Sequence, residues 1–229
     1  IPAITEHAGN GVNRGEVNIS ATIDLSLQQR VREILLKHRD SLRSKLEKYK
    51  SFKHPELVSG AAVVIDLASY DFLALVGGDG IVQGDFLNRA TLQYLNPGSS
   101  VKPFVLATAL DLGYTLETAF ADVQKTYIIP YGSKVKKYAP QNYHGFSGKL
   151  VSTHDALVAS KNSIFIALVD DMFKNYGEDA LLSGLQNFGF PLSEVHLSSA
   201  IGSFSASLLD IAGAYAVLAD DCVTITYVA

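Results

Sequence analysis

Two short segments carry residue types that can do nucleophilic chemistry together. The first is Ser99-Ser100-Val101-Lys102. A serine hydroxyl is a poor nucleophile near neutral pH and needs a base beside it. Ser and Lys three residues apart in the first turn of a helix share a face. If packing buries the lysine, desolvation lowers its pKa and the neutral amine can take the serine proton. A helix N-terminus also favours the negative charge that develops on the oxygen. Pro97-Gly98, directly before Ser99, turns the chain sharply into that helix. The second segment is Ser160-Lys161-Asn162, the only Ser-x-Asn in the sequence. On a break between helices, Ser160 can relay a proton to a leaving amine. Asn162 can orient Lys102 and hold a substrate amide.

Each segment also has a plain structural reading. Ser99 to Lys102 alone fits a helix cap followed by a surface lysine. Ser160 to Asn162 fits the N-cap of a helix starting near Ile164, a role compatible with the chemical one. Ser133-Lys134-Val135-Lys136 repeats the Ser-x-x-Lys spacing. No apolar helix follows it to bury its lysine, so it is a chance match.

The elements that must position these residues follow from apolar spacing. Leu27, Val31, Ile34, Leu35, Leu42 and Leu46 recur at three- and four-residue intervals and predict a long amphipathic helix, with Thr22 or Asp24 as its cap. Residues 61–67 and 72–76 are two apolar runs about a polar turn, a hairpin apolar enough to be buried on both faces. Gly77-Gly78-Asp79-Gly80 lacks the strand and helix context of a phosphate loop and reads as a turn. An apolar helix is expected from about Val101 to Leu112, and residues 127–143, rich in Lys, Tyr and Pro, read as loop. Further helices are expected over 153–159 with Ser152 or Thr153 as cap, 164–173, 177–188 ended by Gly189, and 205–219. A strand is expected over 223–228.

The composition bounds the class. The chain has 229 residues, is 48% hydrophobic and carries a net charge of −4, which argues against nucleic-acid binding. Nine Lys/Arg against three Asp/Glu lie between Arg30 and Lys53, a solvated helix face on the simplest reading. A single cysteine, Cys222, excludes an internal disulfide and a paired-Cys zinc site. Residues 1–18 read as a linker, with no signal-type apolar core, and no apolar run approaches the roughly 20 residues that span a bilayer.

With these motifs in order, the sequence resembles the penicillin-binding proteins. The likeness runs through Phe86-Leu87-Asn88-Arg89-Ala90-Thr91, Pro97 to Phe104, Pro140-Gln141-Asn142-Tyr143, Ala156 to Asn162, Ala200-Ile201-Gly202-Ser203 and Leu208 to Ala219. Thr22-Ile23-Asp24-Leu25 with Leu27-Gln28-Gln29 is similar to the segment opening the transpeptidase domain of the bifunctional, class A members. The resemblance implies an α+β, β-lactamase/transpeptidase-like fold with helices packed on a central antiparallel sheet, left incomplete in this chain. It implies residues 1–21 as a linker from an upstream region and 22–229 as the domain. It implies a serine D,D-transpeptidase acting on peptidoglycan stem peptides, with Ser99 as nucleophile, Lys102 as base, and Ser160 and Asn162 as the second motif. It implies acylation by β-lactams and no metal or cofactor. It also implies a membrane-anchored parent with an upstream glycosyltransferase domain, on the extracytoplasmic face of the bacterial inner membrane.

One family motif is absent. Lys-Thr/Ser-Gly should follow the Leu208 to Ala219 helix, on a strand that binds the substrate carboxylate and supplies an oxyanion-hole amide. Lys125-Thr126-Tyr127 lacks the glycine and precedes Ser160. A sequence cut short is the favoured explanation, a degenerate homologue the other. Two alternatives to the enzyme therefore stand: a silent scaffold of the same fold, and a β-lactamase-like hydrolase or sensor. The hydrolase needs a glutamate to activate water. Glu178 half meets that pattern and reads better as a helix-start residue.

Overall fold

The spacing of Leu27, Val31, Leu35, Leu42 and Leu46 becomes one long helix, α1 (Leu25–Leu46), in a computed structural model that describes residues 20–80, 84, 86–131 and 134–220. These five are half-buried, whereas Ile34 faces solvent. Asp24 is the cap: its carboxylate accepts from the Ser26 and Leu27 N–H groups at 2.8 and 3.0 Å. Thr22 instead donates its hydroxyl to the Phe72 carbonyl at 2.8 Å. That bond ties the helix to a hairpin of β1 (Ala62–Ile65) and β2 (Phe72–Val76), paired antiparallel. Gln28 reinforces the tie by bonding both backbone groups of Leu75, donating at 2.9 Å and accepting at 2.7 Å.

Two expectations change in this region. The hairpin is not buried on both faces: only Ala74 and Val76 are buried, because it is two strands with one helix against them. The basic stretch is not wholly solvated either. Arg39 and Arg43 lie 2.7 and 3.2 Å from the Asp79 carboxylate, which closes the glycine-rich turn. These residues form one compact unit ending at Phe86, and a second runs from Leu87.

The second unit is built on buried helix faces. A short helix, α2 (Arg89–Leu92), starts at Asn88, whose side chain accepts from the Ala90 N–H at 3.2 Å. The chain then exchanges two backbone bonds between Leu95 and Ala206, both 3.0 Å. It enters a 3₁₀ turn (Gly98–Val101) that continues into α3 (Lys102–Asp111). Beyond a short pair, β3 (Ala119–Ala121) with β6 (Leu150–Ser152), come α4 (Thr153–Val158), α5 (Asn162–Tyr176), α6 (Glu178–Asn187), a 3₁₀ turn (Leu197–Ile201) and α7 (Leu208–Ala219). Ser152 caps α4, accepting from the Asp155 N–H at 3.1 Å. Ser207 and Asp210 form a capping box on α7.

The α5 helix buries Ile164, Phe165, Ile166, Leu168, Val169 and Met172 completely. Each such side chain contributes about 1.5–3 kcal/mol relative to exposure. Phe104 on α3 gathers Phe188, Phe190 and Tyr215 around its ring, with centroids 5.1, 5.2 and 4.8 Å away.

Residues 127–143 are not all loop. They include a hairpin of β4 (Tyr127–Tyr131) and β5 (Lys134–Tyr138), in which the lysines stand exposed and Tyr127 is buried. The helix expected from Ile164 starts earlier, at Asn162. The strand expected over 223–228, Cys222 and the linker over 1–18 lie outside the described residues. Among the described residues no helix is long and apolar enough to cross a membrane.

One close approach fixes the turn that carries Ser99. Gly202 ends the Leu197–Ile201 turn at φ 74°, and a Cβ there would lie 2.3 Å from the Gly98 carbonyl oxygen and 2.5 Å from its nitrogen. Both obstacles are backbone, so neither can swing away. Gly202→Ala should therefore destabilise the fold by roughly 1–3 kcal/mol. A urea midpoint unchanged from the parent chain would show that the two turns do not pack this way.

Candidate active site

The Gly98–Val101 turn is pinned while its serine is left open. Gly98 takes φ 60°, a conformation that glycine adopts without strain. Its N–H reaches the Gly202 carbonyl at 3.4 Å. Ser100 donates its hydroxyl to the Pro97 carbonyl at 2.7 Å, and the Tyr215 hydroxyl donates to the Ser100 carbonyl at 3.0 Å. Ser99 between them is exposed. In a 3₁₀ turn, residues three apart eclipse one another. The Lys102 N–H bonds the Ser99 carbonyl in that geometry, so the two residues share a face.

Lys102 is among the largest fully buried side chains of the described residues, at 1% exposure. Its ammonium donates to the Ser160 carbonyl at 2.8 Å, the Ser160 hydroxyl at 3.1 Å and the Asn162 Oδ1 at 2.8 Å. The Phe165 ring centroid lies 5.4 Å from Nζ. No carboxylate is among these partners. Burial accordingly pulls the amine down from 10.5 to about 8. The positive ends of α3 and α5, which begin at Lys102 and Asn162, work in the same direction. The structure thus brings Lys102, Ser160 and Asn162 into one hydrogen-bonded cluster, with Ser99 on the turn that leads into it.

The Ser160 turn is held under strain. Ser160 has φ 51°, which costs a non-glycine residue about 1–3 kcal/mol unless its surroundings hold it. The Ser160 and Lys161 N–H groups bond the Leu157 and Ala156 carbonyls, closing the end of α4. Asn162 is not a cap. Lys161 occupies the N-cap position of α5 without a side-chain capping bond, and Asn162 spends its Oδ1 on Lys102. The Asn162 Nδ2 donates to the Gln141 carbonyl at 2.8 Å, leaving its second N–H for a further acceptor.

Behind this turn lies a polar group that sequence reasoning missed. Asp122 is fully buried and accepts from Asn142 Nδ2 and Ser163 Oγ at 2.7 Å each, and from the Ser147 N–H and Lys161 Nζ at 2.9 Å each. Burial alone would push its pKa up. The bonds from Ser163, Lys161 and Ser147 outweigh that and hold it well below the ordinary carboxylate range. Its one trace in the sequence is a lone acid after the small apolar run Ala119-Phe120-Ala121. The remaining candidates lie elsewhere in the unit: Lys134 and Lys136 are exposed on β5, and Glu178 opens α6.

Comparison with known proteins fits this geometry. Residues 60–228 match the penicillin binding protein transpeptidase domain. Penicillin-binding protein 1A of Neisseria lactamica is 34% identical over 166 residues, 72% of this chain and 20% of the relative, so the chain spans about a fifth of that protein's length. The crystal structure of penicillin-binding protein 1A from Haemophilus influenzae superposes with a TM-score of 0.60 at 31% identity, covering 69% of this chain and 23% of that one. The transpeptidase domain of penicillin-binding protein 3 from Burkholderia pseudomallei covers 88% of this chain and 58% of its own, with a TM-score of 0.59 at 19% identity, and shares the fold. The architecture is thus the α+β, β-lactamase/transpeptidase-like one, with its strands here in three two-stranded sheets among the described residues. The chain belongs to the penicillin-binding protein transpeptidase domain family.

Proposed function

We propose that this chain carries the nucleophile region of a serine D,D-transpeptidase that cross-links peptidoglycan stem peptides. The observation supporting this most strongly is the Lys102 amine, buried without a carboxylate partner on the face it shares with exposed Ser99. A lysine in that setting loses its proton close to neutrality and can serve as a general base. Ser99 Oγ attacks the carbonyl of the penultimate D-Ala while Lys102 takes its proton. The C–N bond to the terminal D-Ala then breaks, and its amine leaves with a proton passed through Ser160. An amine of a neighbouring stem peptide attacks the resulting ester and returns the proton to Ser99 as the amide forms. Asn162 holds Lys102 through Oδ1 and offers its free N–H to the substrate amide.

β-Lactams acylate Ser99 in the same way as substrate mimics. The reaction takes place on the extracytoplasmic face of the bacterial inner membrane, in the periplasm, within a membrane-anchored parent that carries an upstream glycosyltransferase domain. A scaffold of the same fold is the second reading.

Intact mass after incubation with a penicillin separates the two readings. The expected result is one stable adduct on these 229 residues and none on Ser99→Ala; if the 229 residues stay unlabelled, the same test on the longer parent protein decides, labelling there supporting the enzyme and silence the scaffold. Acylation should rise with pH through about 8, as Lys102 loses its proton. Lys102→Met should lower its rate by roughly a hundredfold or more. A separate check needs no turnover. The unfolded chain keeps the Lys102 proton up to about 10.5, the folded chain only to about 8. Between these values the unfolded state binds more protons, so folding stability gains with rising pH. The stability of the parent chain relative to Lys102→Met should therefore climb across that window. A flat difference would mean that Lys102 titrates normally.

A further inference from the structure

Asp122 has no part in the reaction as written, yet it is the only buried carboxylate among the described residues. It stands where the β3–β6 ladder ends: its N–H bonds the Lys149 carbonyl at 2.8 Å, and its own carbonyl accepts from the Gly148 N–H at 2.9 Å. The backbone of Asp122 is thus fixed by the sheet, and its carboxylate points away from solvent with four donors on two oxygens.

The donors are placed in a telling way. Lys161 and Ser163 flank Asn162 in the chain. Asn142 follows Gln141, whose carbonyl accepts from Asn162 Nδ2. Asn142 also accepts from the Ser163 N–H at 3.0 Å and donates to Ser163 Oγ at 2.9 Å. The two residues flanking Asn162 and the one following Gln141 therefore converge on one carboxylate. Lys161 is pulled inward as well: its ammonium takes Asp122 at 2.9 Å and the Gly145 carbonyl at 3.3 Å, and its side chain is only 18% exposed. A cation next in sequence to Ser160 and Asn162 is thereby neutralised away from Lys102.

We infer that Asp122 is the positioning residue of this site: through Ser163, Asn142 and Lys161 it holds the Ser160–Asn162 turn in the one conformation that presents Ser160 O, Ser160 Oγ and Asn162 Oδ1 to Lys102. A buried network can do this because its members have no water to turn to, so losing one partner leaves the others unsatisfied. The inference rests on Ser99 and Lys102 being the nucleophile and base. Asp122→Asn is close to isosteric and retains one acceptor oxygen, but it puts an amide N–H against two donors, Ser147 N–H and Lys161 Nζ.

The test uses the full chain, Asp122→Asn, and Ser163→Ala, which removes one strut and keeps the carboxylate. Two measurements are made on each. The first is the NMR signal of the Lys102 Cε in lysine-labelled protein, assigned by its loss in Lys102→Met, together with amide exchange at residues 160–163. The second is acylation by a fluorescent penicillin, resolved into its reversible binding constant and its acylation rate constant. In Asp122→Asn the Lys102 signal should move, exchange at 160–163 should speed up, and the acylation rate constant should fall about ten- to a hundredfold with binding little changed. Ser163→Ala should move all three readouts in the same direction and by less.

A folded Asp122→Asn with the Lys102 signal and turn exchange unmoved overturns the inference. So does a fall in melting temperature with an unchanged acylation rate constant, the mark of a purely structural carboxylate. If Asp122→Asn does not fold, Ser163→Ala decides by the same criteria. If these 229 residues are never acylated, the reading of Ser99 passes to the test on the longer parent protein, and the Lys102 signal and the exchange rates still decide whether Asp122 sets the turn.

Discussion

An ammonium ion can be buried at tolerable cost only if acceptors replace the water it loses. Lys102 meets that condition with a carbonyl, a hydroxyl and an amide oxygen, and with no carboxylate. The choice of partners has consequences in both directions. Neutral acceptors satisfy the donors without fully compensating the charge, so the amine sits near 8, close to the point where it can give up or accept a proton. A carboxylate in place of Asn162 would hold the lysine protonated and remove it as a base. The rest of the second unit is arranged around keeping those three oxygens in place.

Two of them belong to a residue with φ 51° and the third to the first residue of a helix. Neither position is stable by local preference alone. Helix α5 contributes rigidity through its buried apolar face, from Ile164 to Met172. That face fixes the axis of the helix but leaves the turn before it free to relax. The polar network under the turn supplies what apolar packing cannot, because hydrogen bonds have direction and the apolar contacts do not. On the facing side, α3 is anchored by Phe104 among Phe188, Phe190 and Tyr215. Tyr215 also reaches the Ser100 carbonyl, linking the aromatic cluster to the serine turn in a single side chain.

How much of this could be read from the sequence depends on range. Ser99 and Lys102 are three residues apart, and the apolar run after them announces burial, so their shared face was legible. The break at Ser160 was legible because polar residues interrupt two apolar runs. Its backbone conformation was not, since αL is rare for serine and nothing nearby demands it. Asp122 was invisible: its partners lie 20 to 41 residues away, and such contacts leave no period in the chain. The β4–β5 hairpin was missed for a related reason. Lys134, Lys136 and Lys137 occupy an exposed strand and mask a pairing set by its partner strand. Arg39 and Arg43 looked like a solvated face because Asp79, 36 residues beyond Arg43, is what turns them inward.

The contrast between Ser99 and Lys102 follows from what each must do in the proposed reaction. The base needs a dry, fixed environment to hold a lowered pKa. The nucleophile needs access, because a stem peptide on a polymer cannot enter a closed cavity. A tight 3₁₀ turn reconciles these demands within four residues, since it eclipses positions i and i+3 while the chain direction changes into α3. An α-helical start would separate the two side chains by about 100° per residue around the axis and leave them less closely aligned. The Gly98 and Gly202 backbones, packed too closely for any side chain at 202, are what hold the turn that tight. Glycine at 202 is therefore a condition for an exposed serine beside a buried lysine, with Gly98 favoured by its φ of 60°, and both belong to the site as much as the polar residues do.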